Sequence, residues 1–119
     1  MQLRCVVVDD DVTFLDAART LLESEGVMVA GVASSCALAL RRVNALRPDV
    51  VLIDIRLGRE SGFDAARKLA ADGQAAALIM ISTDDAEDYA EQITDSPAAG
   101  FVPKAELSAV AIRRVLGMT

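Results

Sequence analysis

Apolar residues recur along this chain in five short blocks, at positions 3–8, 27–32, 50–53, 77–81 and 100–102, and the stretches between them carry apolar residues three and four positions apart. Short, β-branched runs without alternation read as strands covered on both faces, as in parallel sheets, while the wider spacing predicts amphipathic helices. Asp10 or Asp11 can cap the first helix, whose apolar face is Phe14, Ala18, Leu21 and Leu22, and Gly26 stops it. Ser34 or Ser35 opens the second, with Cys36, Ala39, Leu40, Val43 and Leu46 on one side and Pro48 beyond its end. Gly58 and Gly62 bracket a polar loop, a third helix follows over 63–71 and closes near Gly73, and a short acidic helix spans about 85–94. Leu107, Val110, Ala111 and Val115 line the last helix. Five strand-helix units without linker, repeat or low-complexity segment predict a single α/β domain over residues 1–119, a doubly wound parallel sheet with helices on both faces.

A parallel sheet collects the carboxyl ends of its strands along one edge, where open α/β folds place their ligands. The run Val50, Val51, Leu52, Ile53 leads straight into Asp54. Taken alone, an aspartate in that position ends a strand or caps a turn. Its company changes the reading: the first strand ends at Asp9 and Asp10, the fourth at Ser82 and Thr83, and the fifth at Lys104. Three carboxylates, a hydroxyl and an ammonium therefore meet in one place.

Composition narrows the chemistry available there. The 119 residues include no histidine, which excludes His-based triads and His-ligated metals. With 12 basic and 18 acidic residues the net charge is -6, which repels nucleic acid unless a basic face is segregated, and the sequence shows no such face. Hydrophobic residues make up 53% of the chain, yet no run approaches the roughly 18 uninterrupted apolar residues of a membrane span. The opening residues, Met1 to Cys5, lead directly into a strand without the charged and apolar regions of a signal peptide, so the expectation is a cytoplasmic protein. Cys5 and Cys36 lack metal-ligand spacing and read as small buried hydrophobes.

In this order and spacing, the residues at the strand ends resemble those of a response-regulator receiver domain of two-component signal transduction, and the resemblance runs along the whole chain. Asp9 and Asp10 match the family's acidic pair, Asp54 its phosphoacceptor, Ser82 its switch hydroxyl, Phe101 its switch aromatic, Lys104 its lysine, and Gly62 the glycine after the phosphorylation loop. The resemblance implies a flavodoxin-like (βα)5 fold with strand order 2-1-3-4-5. It also implies that Asp54 takes a phosphoryl group from a sensor histidine kinase or phosphotransfer protein, and that the chain catalyses only its own phosphorylation and dephosphorylation.

A carboxylate beside two others repels an incoming phosphoryl group, so a divalent cation must intervene, and Mg2+ is content with one or two carboxylates plus waters and phosphate oxygens. Asp10 and Asp54 are then the expected direct ligands, with Asp9 acting through water and the backbone carbonyl of Arg56 completing the set. Lys104 and Ser82 are expected on the phosphoryl oxygens. Movement of Ser82 toward the phosphoryl group leaves space that Phe101 fills. The surface of the fourth helix, fifth strand and fifth helix would thereby be biased toward an effector domain or a homodimer partner.

The chain departs from the family pattern at several positions. Gly58 stands where the family often has proline, which loosens the loop, and Thr83 replaces the usual alanine or glycine, narrowing access to the site. Ala105 follows Lys104 in place of the common proline, so the peptide between them is expected to be trans. Phe101 lacks the hydroxyl of the frequent tyrosine and can pack inward without stranding a polar group. Arg56 and Asp84, of opposite charge and two positions beyond the phosphoacceptor and the switch hydroxyl, are expected to pair across the mouth of the site and tune the lifetime of the phosphorylated form.

Two other readings compete. Asp9, Asp11 and Thr13 are similar to the D-x-D-x-T pattern of haloacid-dehalogenase-like phosphatases, with Asp9 as nucleophile and Asp11 as acid and base. Such enzymes place acidic metal ligands on a strand after the lysine, where this chain has only Glu106, and the length leaves no room for a cap domain. A degenerate receiver acting only as a docking module would not require the full set of phosphorylation residues found here.

Overall fold

The computed structural model describes residues 2–118; Met1 and Thr119, the ends of the predicted domain, lie outside the described residues. The chain runs β1 (Arg4–Val8), α1 (Val12–Ser24), β2 (Met28–Ala33), α2 (Cys36–Leu46), β3 (Val50–Asp54), a hairpin of β4 (Arg56–Leu57) and β5 (Glu60–Ser61), α3 (Gly62–Ala71), β6 (Ala77–Ser82), α4 (Ala90–Asp95), β7 (Gly100–Pro103) and α5 (Ala109–Val115). Single 3-10 turns, Ala86–Tyr89 and Lys104–Glu106, precede α4 and lead into α5. The main sheet has the order β2-β1-β3-β6-β7 and is parallel throughout. With the hairpin set apart, β6 and β7 are its fourth and fifth strands, which is the flavodoxin-like order 2-1-3-4-5.

Alternate residues of each strand feed two separate cores, one on either face of the sheet. Cys5, Val7, Val50, Leu52, Ile79 and Ile81 pack under α1 and α5, against Leu15, Ala18, Leu22, Ala109 and Ile112. Val6, Val8, Val51, Ile53 and Met80 face the other way, against Cys36, Ala39 and Val43 of α2 and Phe63, Ala66 and Leu69 of α3. This two-sided burial explains the unalternating apolar runs: every residue of β3 is buried, and burying a side chain of this size stabilises by roughly 1.5–3 kcal/mol. Both cysteines are buried and unpaired, as their surroundings in the sequence suggest. Among the described residues, no helix is long and apolar enough to cross a membrane.

Three local expectations are corrected. The polar loop between Gly58 and Gly62 is an antiparallel hairpin, in which Arg56 pairs with Ser61 and Leu57 with Glu60 around Gly58 at φ +60°. The acidic helix expected over 85–94 breaks into a 3-10 turn and a six-residue α-helix with no fully buried residue. Its acidic side chains recur three and four apart (Asp85, Asp88, Glu91; Glu87, Glu91), a spacing at which like charges oppose helix formation. Finally, Leu21 and Val110, assigned to buried faces, are 39% and 61% exposed. Leu15 and Ile112 take their places, and Leu107 is buried ahead of α5 rather than on it.

Candidate functional site

The order of the sheet reverses direction at β1, so the crevice between β1 and β3 opens at their carboxyl ends, the place where ligands settle in open α/β sheets. Asp9 follows β1 and Asp54 ends β3, on either side of that crevice. The Asp9 backbone N–H donates to the Ala33 carbonyl at 3.0 Å, and its Oδ1 accepts from the Asp11 N–H at 2.9 Å. Asp11 in turn caps α1, accepting from the N–H groups of Thr13 and Phe14 at 3.0 and 3.4 Å. That role leaves Asp11 outside the acidic cluster and weighs against the phosphatase scheme, in which it would be the acid and base.

Asp54 is fixed on both oxygens: Oδ1 accepts from the Arg56 N–H at 3.1 Å and Oδ2 from Lys104 Nζ at 3.1 Å. Behind it, the Gly62 N–H donates to the Ile55 carbonyl at 2.7 Å, and a Cβ on Gly62 would stand 1.9 Å from the Asp54 carbonyl oxygen. Only glycine allows α3 to begin so close behind the aspartate. In front, the hairpin turn brings Gly58 near Asp10, whose Oδ2 would lie 3.5 Å from a Cβ added there.

Lys104 leaves β7 and enters the sheet edge with its side chain 13% exposed, its Nζ 2.5 Å from Asp9 Oδ2 as well as hydrogen-bonded to Asp54. The short approach to Asp9 is a buried ion pair, and Lys104 is the partner of Asp9 Oδ2 among the described residues. Burial raises the pKa of the Asp9 carboxyl, with Lys104 and the Asp11 N–H acting in the opposite sense. Burial lowers that of Lys104, but hydrogen bonds to Asp9 and Asp54 more than reverse this and hold the ammonium charged. Asp10 is exposed. One carboxylate oxygen from each of Asp9, Asp10 and Asp54 lies within 4.8 Å of the others, a cluster of hard donors that could hold a metal ion.

Of the remaining predicted residues, Ser82 ends β6, with Thr83 and Asp84 just beyond it, and Arg56 lies just beyond β3. Ser82, 2% exposed at the end of β6, accepts the Asp84 N–H on Oγ at 3.0 Å, which leaves its own proton free to donate. Thr83 is exposed, Phe101 is half-buried against the core on the α2 and α3 face, and the Lys104–Ala105 peptide is trans. Arg56 and Asp84 do meet, with Nη2 and Oδ2 3.4 Å apart.

Sequence reasoning missed two aromatic contributors. Lys104 Nζ stands 4.3 Å from the ring centroid of Phe14, a cation–π contact made by a residue read only as part of a helix face. Tyr89 places its hydroxyl between Arg56 and Asp84. The one signal available for Tyr89 is that it is the only tyrosine of the chain, set in an acidic segment.

The profile of the family described as "Response regulator receiver domain" matches residues 5–115. The response regulator GacA of Pseudomonas viridiflava is 29% identical over 103 residues, covering 86% of this chain and 48% of GacA. The DNA-binding transcriptional activator EvgA of Escherichia coli K12 is 26% identical over 104 residues, covering 87% of this chain and 51% of EvgA. The chain thus spans about half the length of these curated relatives. Among solved structures, the signal receiver domain of NarL from Mycobacterium tuberculosis superimposes with a TM-score of 0.84 at 29% identity, over 98% of both chains. Sheet order, site geometry and family profile agree, and the chain belongs to the response-regulator receiver domains of two-component systems.

Proposed function

We propose that this domain accepts a phosphoryl group on Asp54 from the phosphohistidine of a sensor histidine kinase or phosphotransfer protein and holds it as a reversible mark. The observation that carries this reading is the convergence of Asp54, the buried carboxylate of Asp9 and the ammonium of Lys104 at one sheet edge. An Asp54 carboxylate oxygen attacks phosphorus in line with the imidazole. The P–N bond breaks, and its electron pair leaves on the imidazole nitrogen. The resulting acyl phosphate is later hydrolysed by water, which restores the carboxylate and releases inorganic phosphate.

Lys104 moves from Asp54 to a phosphoryl oxygen as a mobile point charge, and the free proton of Ser82 is donated to another. Asp9, Asp10, Asp54 and the backbone carbonyl of Arg56 would hold Mg2+, directly or through water. When bound, Mg2+ offsets the repulsion between these carboxylates and the phosphoryl group. The domain catalyses nothing beyond its own phosphorylation and dephosphorylation.

For output, Ser82 turning inward vacates space for Phe101, and the surface of α4, β7 and α5 changes its preference for an effector domain or a second copy. EvgA is by its name a DNA-binding activator, and an output domain of that kind is one such effector. The net charge of -6 disfavours direct nucleic-acid contact by this domain, and a cytoplasmic location without membrane contact is proposed with it. The full set of phosphorylation residues supports signalling over passive docking. Titration with beryllofluoride and Mg2+, a stable phosphoryl mimic, tests the reading: the wild type should bind one equivalent and Asp54→Asn none, whereas equal binding by both would contradict it.

A further inference from the structure

We propose that Tyr89 is a positioning residue that links the switch hydroxyl to the segment carrying α4; the inference rests on Asp54 being the phosphoacceptor. Ser82 Oγ accepts the Asp84 N–H at 3.0 Å, Asp84 Oδ2 accepts the Tyr89 hydroxyl at 2.8 Å, and that hydroxyl accepts from Arg56 Nη2 at 3.2 Å. Two hydrogen bonds joined through the covalent frame of Asp84 therefore link Ser82, at the end of β6, to the turn Ala86–Tyr89. Arg56 and Asp84 themselves stand 3.4 Å apart, so the phenol is the tighter link between them.

What the link holds is otherwise weakly held. Neither the turn nor α4 has a fully buried residue, and the segment leans on the core through the half-buried Tyr89 and Ile93. The Tyr89 ring meets Phe63 of α3 at 6.3 Å between centroids, tilted by 52°. When Ser82 turns Oγ toward a phosphoryl group, the Asp84 N–H loses its acceptor, Asp84 shifts, and the phenol loses its carboxylate. Ring packing alone then restrains the segment, which is free to move toward a partner. This route to α4 is separate from the space that Phe101 fills.

The chain itself supplies the probe, because Tyr89 is the only tyrosine and there is no tryptophan. A phenol hydrogen-bonded to a carboxylate is quenched, so intrinsic emission reports this one bond. Resting protein should be quenched, Asp84→Asn should be bright at rest, and acetyl phosphate with Mg2+ should brighten the wild type while intact mass records the added phosphate. In resting Tyr89→Phe, amide exchange across 90–95 should be roughly fivefold faster than in the wild type, the scale of one net hydrogen bond. Added phosphate with unchanged emission, or exchange in Tyr89→Phe equal to that of the wild type, overturns the role of Tyr89 and leaves the phosphoacceptor standing. Wild type that gains no phosphate overturns both.

Discussion

Lys104 donates a hydrogen bond to Asp54 Oδ2 at 3.1 Å, joining residues 50 positions apart in the chain. The same ammonium stands 2.5 Å from Asp9 Oδ2, so it neutralises in the resting protein the carboxylates that would receive a metal ion. Ammonium and Mg2+ repel, and unit charges 4 Å apart near a protein surface interact by about 4 kcal/mol before screening. Lys104→Ala should therefore bind Mg2+ several-fold more tightly. Its phosphorylation by acetyl phosphate should nevertheless slow by roughly a hundredfold, the scale of losing one preorganised charge at a reacting centre. Calorimetric titration and initial rates check the two directions; weaker metal binding would contradict the placement of Lys104.

Gly62 is a second test of how the site is built. A methyl group there collides with the Asp54 carbonyl oxygen, and its backbone cannot simply yield because the Gly62 N–H is bonded to Ile55. Gly62→Ala should lose about 1–3 kcal/mol in urea unfolding and slow phosphorylation as Asp54 is displaced. Stability and rate equal to the wild type would show that α3 has room to move away.

Burial within the α1 and α5 core pushes the Cys5 thiol up to about 12 from an ordinary 9.0. Between these values the unfolded chain loses the thiol proton while the folded chain keeps it, so stability falls as pH rises. From about pH 8 to about pH 10.5 this contribution removes roughly 2 kcal/mol. Cys5→Ala pays only a pH-independent packing penalty, so the stability advantage of the wild type over it should shrink by that amount. A constant difference across the range would contradict the assigned burial.

The Arg56 and Asp84 side chains are 75% and 39% exposed, a geometry in which solvent screening leaves a direct ion pair little to add to folding. Their predicted effect is kinetic: once the phenol has released Asp84, the two charges pair directly as a gate over the phosphorylated aspartate. Arg56→Ala and Asp84→Ala should each speed loss of the phosphate by a few-fold, with the double variant no faster than the singles, because either change opens the same gate. Additive rates would assign them independent effects.

The strand ends are legible in the sequence because burial on both faces leaves an unalternating apolar run, and a parallel sheet then carries Asp9, Asp54, Ser82 and Lys104 to one edge whatever the details of the helices. The Arg56 and Asp84 pairing follows from their equal offsets from two neighbouring strand ends. Tyr89 between them is not legible, since its reach depends on how a short, weakly anchored turn lies over the rim. Phe14 presents the same problem: periodicity assigns it to a helix face but cannot show that the first turn of α1 lies against Lys104. The rotation of α1 escapes for a related reason, because leucines at 15, 21 and 22 allow two faces and docking chooses Leu15. Strands as short as β4 and β5, two residues each, carry no period to read.

The central claim is that Asp54 alone receives the phosphoryl group. Borohydride reduces an aspartyl phosphate to homoserine, which marks the acceptor permanently. After acetyl phosphate and Mg2+, peptide mass mapping of the reduced protein should find homoserine at position 54 and nowhere else. Homoserine at position 9, or none in protein that has gained phosphate, would contradict the account.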